Sequence, residues 1–155
     1  MTVIVAGATG LAGSAIARAY IAQGEDVIGV NRSVVDLMDL DATRKFIKEK
    51  SPSLVIDAAA KVGGIGANNS KPVEFLSDNL RIQSNLMQAS FEADVKKFVF
   101  LGSSCIYPRD CAQPIKEEYL MTGPLEETNS AYAIAKIAGI EMVNSYRKEH
   151  SSQWI

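Results

Sequence analysis

The sequence predicts an α/β fold, a parallel sheet with helices on its faces. Three observations carry that expectation. Short apolar, β-branched runs recur at Thr2–Ala6, Asp26–Val30, Leu54–Ala59 and Phe98–Leu101, and the most apolar of them read as strands buried on both faces. Helical stretches separate these runs, so the strands are joined by crossovers. A glycine-rich turn, Gly7-Ala8-Thr9-Gly10-Leu11-Ala12-Gly13, stands between the first run and the first helical stretch.

Strand Thr2–Ala6, the glycine turn, a helix from about Leu11 to Gln23 ended by Gly24, and strand Asp26–Val30 form a βαβ unit of about thirty residues. This is the dinucleotide-binding pattern, and it makes the expected architecture a Rossmann-like, doubly wound parallel sheet. Gly7 allows the tight turn, Gly10 lets backbone approach a pyrophosphate, and Gly13 lets helix pack close on strand. The start of the helix offers free N–H groups to the phosphates. The spacing is GxxGxxG, and glycines that merely make a tight turn are the competing reading.

The second strand runs into Asn31-Arg32-Ser33. An acidic residue here would accept the ribose hydroxyls of NAD and repel a 2′-phosphate. None is present, and the planar fork of Arg32 can pair with that phosphate. NADP(H) is therefore expected over NAD, the plain alternative being an Arg32 that points into solvent. Asp36 and Leu37 can hold the adenine, one by hydrogen bond and one by packing. Asp39 or Asp41 is better explained as the cap of a helix from Ala42 to Lys50, ended by Ser51-Pro52.

Ala58, Ala59 and Ala60, at the tip of the third strand, let a cofactor ribose lie close, or simply pack tightly. Val62 to Lys71 reads as a glycine- and asparagine-rich loop on the carboxyl edge of the sheet, where open α/β sheets bind ligands. Pro72 opens a helix to about Ala93. Asn79 and Asn85 are poor helix formers, which makes either a candidate for a backbone contact near the site. Ser103 to Asn129 is a long connection, functional or carrying short structure of its own. The last helix runs from about Ser130 to Glu149.

Tyr132 and Lys136 are four apart on that helix and share a face, and Ser103 at the mouth of the fourth strand can reach the same point. A phenol has a reference pKa near 10, so proton transfer near neutral pH needs a fall of roughly 3 units, about 4 kcal/mol. One ammonium about 4 Å away supplies on the order of 4 kcal/mol at an effective dielectric near 20. Lys136 is thus expected to lower Tyr132, with Tyr132 as general acid or base and Ser103 bonded to the substrate oxygen. Cys105, two residues after Ser103, can act as a base at a carbon next to a carbonyl if nearby charge lowers its pKa. On the residues alone an inert, buried thiol is the preferred reading. Cys111 has no argued role, and His150 reads as a surface or capping residue.

The bulk properties exclude several classes. At 155 residues the chain is one domain by size, with an apolar fraction of 47% and a net charge of −2. Scattered Lys and Arg offer no footprint for nucleic acid or an acidic membrane. Two cysteines make neither a disulfide framework nor a metal site. No run approaches membrane-spanning length. The apolar start lacks a basic flank and reads as a strand, not a signal peptide. A cytoplasmic place is the default expectation.

Ala58-Ala59-Ala60-Lys61-Val62-Gly63-Gly64-Ile65, Gly102-Ser103-Ser104-Cys105-Ile106-Tyr107-Pro108 and Tyr132-Ala133-Ile134-Ala135-Lys136-Ile137-Ala138-Gly139 are familiar together. The sequence resembles the extended short-chain dehydrogenase/reductase family, and within it the branch that epimerises and reduces GDP-4-keto-6-deoxy-D-mannose to GDP-L-fucose. The resemblance implies NADPH as hydride donor, Ser103, Tyr132 and Lys136 as the reductase triad, and Cys105 as the base of the 3,5-epimerisation. It maps cofactor contacts to Gly7 through Gly13, Arg32, Ser33, Asp36, Leu37, the alanines at 58–60, Leu101, Gly102, Ser103, Ser104, Tyr132 and Lys136. It implies a GDP-sugar substrate and a homodimer formed through helices Pro72–Ala93 and Ser130–Glu149. It covers roughly the N-terminal half of such a protein. Residues 1–155 are accordingly expected to be the NADP-binding domain, with the histidine acid and the sugar-nucleotide domain outside them. One sheet edge is expected to be bare and the chain alone a poor catalyst. Two other readings stay open: another nucleotide-sugar epimerase or dehydratase, and a non-catalytic NADP-binding module.

Overall fold

Five strands are laid down in turn: β1 (Thr2–Ala6), β2 (Asp26–Val30), β3 (Leu54–Asp57), β4 (Lys97–Phe100) and β5 (Gln153–Trp154). In the computed structural model, which describes residues 1–155, they form one parallel sheet in the order β2-β1-β3-β4-β5. The helices are α1 (Leu11–Ala22), α2 (Leu40–Lys50), α3 (Ile65–Ser70), α4 (Pro72–Glu92) and α5 (Ser130–His150). Single 3₁₀ turns at Ser104–Ile106, Glu117–Tyr119 and Glu127–Asn129 give the long connection its own structure.

Alternate side chains of a strand face opposite sides of the sheet. Ile4, Val55 and Phe98 point to one side, where Ile47, Leu86, Met87 and Val143 of α2, α4 and α5 complete the larger core. Val3, Val5, Leu54 and Ile56 point to the other, against Ile16, Ala17 and Tyr20 of α1. Both sides being buried explains the unbroken apolar runs of β1 and β3. The chain passes from β1 to β2 on one side, then crosses back to β3 on the other. The topological switch point thus lies between the tips of β1 and β3, where such sheets bind ligands.

β1 and β2 fall where the sequence puts them. α2 starts two residues earlier than expected, because Asp39 caps it by accepting from the Ala42 N–H at 3.0 Å. β3 stops at Asp57 instead of Ala59, because the Ala59 N–H turns to the Asp57 side chain at 3.1 Å. The expected loop 62–71 contains α3, braced by Asn68 Nδ2 on the Gly63 carbonyl at 2.8 Å.

The edge expected at β4 is instead formed by β5. β5 covers β4, and the Ile155 N–H donates to Phe98 O at 2.9 Å while the Phe100 N–H donates to Ile155 O at 2.7 Å. Trp154 is 1% exposed, with Phe98 and Tyr146 rings at 4.9 and 4.5 Å. A strand of two residues shows no period in the sequence, so it escapes a reading by alternation.

Candidate active site

The turn after β1 is held by backbone alone. The Gly7 and Ala8 N–H groups both donate to Val30 O, at 2.9 and 3.1 Å, which ties the turn to the tip of β2. Gly7 has φ +77°, and a Cβ there would lie 2.5–2.8 Å from the Ala58 and Ala59 backbone. A Cβ on Gly13 would overlap the Gly7 carbonyl. Gly10 precedes α1 without a side-chain cap, and the first turn carries no acid. The first N–H groups of α1, flanked by exposed Leu11 and Ala12, are therefore available to an anion.

Beside this turn is a cleft of about 530 Å³. Gly7 and Thr9 form one wall, Arg32, Ser33, Asp36 and Leu37 another, and Ala59 and Ala60 a third. Val35, Met38 and Ile82 also line it, which the sequence reading did not single out. Asn85 Nδ2 donates to Leu37 O at 2.8 Å, anchoring this wall to α4. Asp36 Oδ1 accepts the Met38 N–H at 3.0 Å, so one of its oxygens serves the loop. An uncapped helix start, an apolar slot and an exposed Arg32 in its lining fit a dinucleotide.

One strand further along the tips lies the reactive cluster. Ser103 Oγ is 2.8 Å from Cys105 Sγ, and Ser103 is near enough to Tyr132 to favour its phenolate by hydrogen bonding. The 3₁₀ turn Ser104–Ile106 folds Cys105 back over Ser103. Lys136 is 4% exposed; its Nζ donates to Leu101 O at 2.8 Å and sits 4.4 Å from the centre of the Phe100 ring. Gly139, one turn on, lies against that same ring, where a Cβ would not fit. Ser103 and Cys105 therefore meet beside Tyr132, while Gly102 and Ser104 are exposed next to them.

The expected tuning of Tyr132 is corrected. Its phenol is held above the ordinary value, first by burial and then by the neighbouring Cys105 charge, with Ser103 partly opposing. Lys136 is not among the causes; its ammonium donates to Leu101 O. Burial holds Lys136 itself below the ordinary value, offset by the charges of Asp57 and Cys105. Asp57 is the residue the sequence reading missed. Its signal was an acid closing the apolar run Leu54-Val55-Ile56.

Asn79 and Asn85 both make backbone contacts. Asn79 Oδ1 accepts the Lys61 N–H at 2.8 Å and its Nδ2 donates to Lys61 O at 3.0 Å. Lys61 Nζ pairs with Glu74 and, at 3.0 Å, with Asp78. The segment after the alanines is thereby fastened to α4. His150 stacks on Phe91 at 4.4 Å near the end of α5, away from the cluster.

A parallel sheet with a glycine turn at its switch point, and a hydroxyl, a thiol and a phenol gathered beside it, defines a dinucleotide-binding α/β domain of the oxidoreductase and epimerase kind. The chain belongs to the NAD dependent epimerase/dehydratase family, whose family model matches residues 3–155. It is 49% identical over 151 residues to a GDP-L-fucose synthase of Sinorhizobium fredii, covering 97% of this chain and 48% of that protein. It is 48% identical over 149 residues to GDP-L-fucose synthase 1 of Arabidopsis thaliana, covering 96% and 46%. Among solved structures it is similar to a GDP-D-glycero-L-gluco-heptose synthase of Campylobacter jejuni determined in the presence of NADPH (TM-score 0.94, 36% identity, 99% and 45% covered). It is also similar to a GDP-L-fucose synthetase of Naegleria fowleri bound to NADP (TM-score 0.86, 29% identity, 99% and 51% covered). The chain spans about half the length of the curated relatives it matches. No helix is long and apolar enough to cross a membrane.

Proposed function

We propose that residues 1–155 are the NADP-binding domain and reductive centre of a GDP-sugar epimerase/reductase, serving the NADPH-dependent 3,5-epimerisation and 4-reduction of GDP-4-keto-6-deoxy-D-mannose to GDP-L-fucose. The observation that carries this reading is the Ser103 hydroxyl 2.8 Å from the Cys105 thiol at the tip of β4, beside the helix that bears Tyr132 and Lys136. The residues from Gly7 to Gly13 hold the pyrophosphate, Arg32 and Ser33 the 2′-phosphate, and Leu37 with Asp36 the adenine. Ala58 to Ala60 and Leu101 to Ser104 flank the nicotinamide end. The bound cofactor supplies the hydride.

This chain's own groups handle the protons. Cys105, as thiolate, takes the proton from a sugar carbon next to the carbonyl, and an acid on the opposite face returns one to that carbon. Ser103 donates a hydrogen bond to the carbonyl oxygen as charge grows there. Tyr132 gives its proton to that oxygen at C4. A phenol held above its ordinary value keeps that proton at neutral pH until the oxygen becomes basic, which suits an acid in the reductive direction. Lys136 places a positive charge behind the cluster. We also propose a homodimer through α4 and α5, and a reducing, cytoplasmic setting in keeping with free Cys105 and Cys111.

The test is fluorescence titration of the chain with NADPH and NADH, with and without the GDP-sugar. Charge-assisted bonds to the extra phosphate, about 1.5–3 kcal/mol, give NADPH at least about tenfold tighter binding. NADH binding tighter than NADPH would overturn the NADP assignment.

A further inference from the structure

β3 reads Leu54-Val55-Ile56-Asp57, and all four side chains are buried. An acid thus ends an otherwise apolar strand, at 0% exposure. Its Oδ1 accepts the Ala59 N–H at 3.1 Å, and its Oδ2, equally shielded, has no hydrogen-bond partner. A carboxylate kept dry with an oxygen unused is costly unless an opposite charge compensates it.

The strand tips supply that charge. Asp57 is in register with Phe100, and the Leu101 N–H donates to the Asp57 backbone carbonyl at 3.1 Å. Lys136 Nζ donates to the carbonyl of the same Leu101 at 2.8 Å and lies over the Phe100 ring. The two buried ionisable residues are thus both bonded to Leu101, with their charged groups more than 4.0 Å apart, and each offsets the burial of the other. Lys136 has one other charged neighbour, Cys105. Lys136 is the one charge that acts on the Asp57 carboxyl. Tyr132 faces Cys105 and Ser103.

We propose that Asp57 is the internal counter-ion of Lys136, a positioning residue that keeps a buried ammonium charged behind the reactive cluster. Acting through Lys136, it touches neither sugar nor cofactor. The use of the pair rests on the role proposed above for Lys136; its existence is a property of this chain alone. Burial pushes the Asp57 carboxyl up to about 6, with Lys136 holding it from rising further. Asp57 is therefore mostly ionised at neutral pH and loses its charge in mild acid.

The test is NMR titration of ¹³C-labelled Asp carboxyl and Lys Cε groups in the 155-residue chain, unchanged and as Asp57→Asn, Asp57→Leu and Lys136→Met. Removing Lys136 should move the Asp57 titration up by about one unit or more. Removing Asp57 should move the Lys136 titration down by a similar amount. An Asp57 carboxyl that titrates at the same pH with and without Lys136 overturns the pairing. The two arms are independent, so failure of one variant to fold leaves the other to decide. NADPH affinity on the same samples separates the two claims. Reciprocal shifts with unchanged NADPH affinity in Lys136→Met support the counter-ion and remove only the cofactor role of Lys136.

Discussion

The glycine turn at the tip of β1 and the cluster at the tip of β4 border the same sheet edge, yet they are built from different material. The first is backbone: two N–H groups on Val30 O, a positive φ at Gly7, and contacts that leave no room for a Cβ. The second is side chains, placed by packing and charged in partly dry surroundings, with Lys136 and Asp57 both nearly or wholly buried. The difference teaches where each can be read. A site made of backbone is declared by residue spacing. A site made of charge depends on where side chains point and how much water is left, which spacing does not state.

The sharpest way to break this contrast is Tyr132→Phe. If the phenol is the acid, single-turnover oxidation of NADPH by the GDP-4-keto sugar slows by about 10²–10⁴-fold, while NADPH affinity is unchanged. An unchanged rate would leave the cluster without a proton role. At the other end, Gly7→Ala meets both a positive φ and the Ala58–Ala59 backbone. It should cost roughly 2–5 kcal/mol, the sum of left-handed strain and overpacking, read from urea midpoints. A loss under about 1 kcal/mol would show the turn to be more yielding than its contacts imply.

Asp57→Asn gives the third measure. The carboxyl rises from an ordinary 3.8 to about 6 on folding, so between those values the folded chain holds more protons than the unfolded one. Its stability contribution falls as pH rises through that window. At roughly 1.4 kcal/mol per unit, the unchanged chain loses roughly 3 kcal/mol relative to the variant between below pH 4 and above pH 6. Urea midpoints of the two proteins that run parallel across the window would contradict it. The smallest effect is Arg32→Ala, which should weaken NADPH by about tenfold and leave NADH unchanged in the same fluorescence titration.

Much of the scaffold was legible. β1, β2, the glycine turn and the Asp39 cap follow from local chemistry that acts over a few residues. β5 was not, since its two residues gain their place only by pairing with β4. α3 was not, since the glycines and asparagines of 63–69 suggest a loop until Asn68 braces Gly63. At the site, an i, i+4 spacing put Tyr132 and Lys136 one turn apart on one helix, α5. It could not say that Lys136 would spend its hydrogen bond on Leu101, or that burial and Cys105 would lift the phenol instead of lowering it.

Asn79 grips the Lys61 peptide at both poles, as a neighbouring strand would. A helix side chain has thereby taken over a ladder rung beyond the tip of β3. The chain just past the alanines of the cleft is thus fixed to α4 by one side chain.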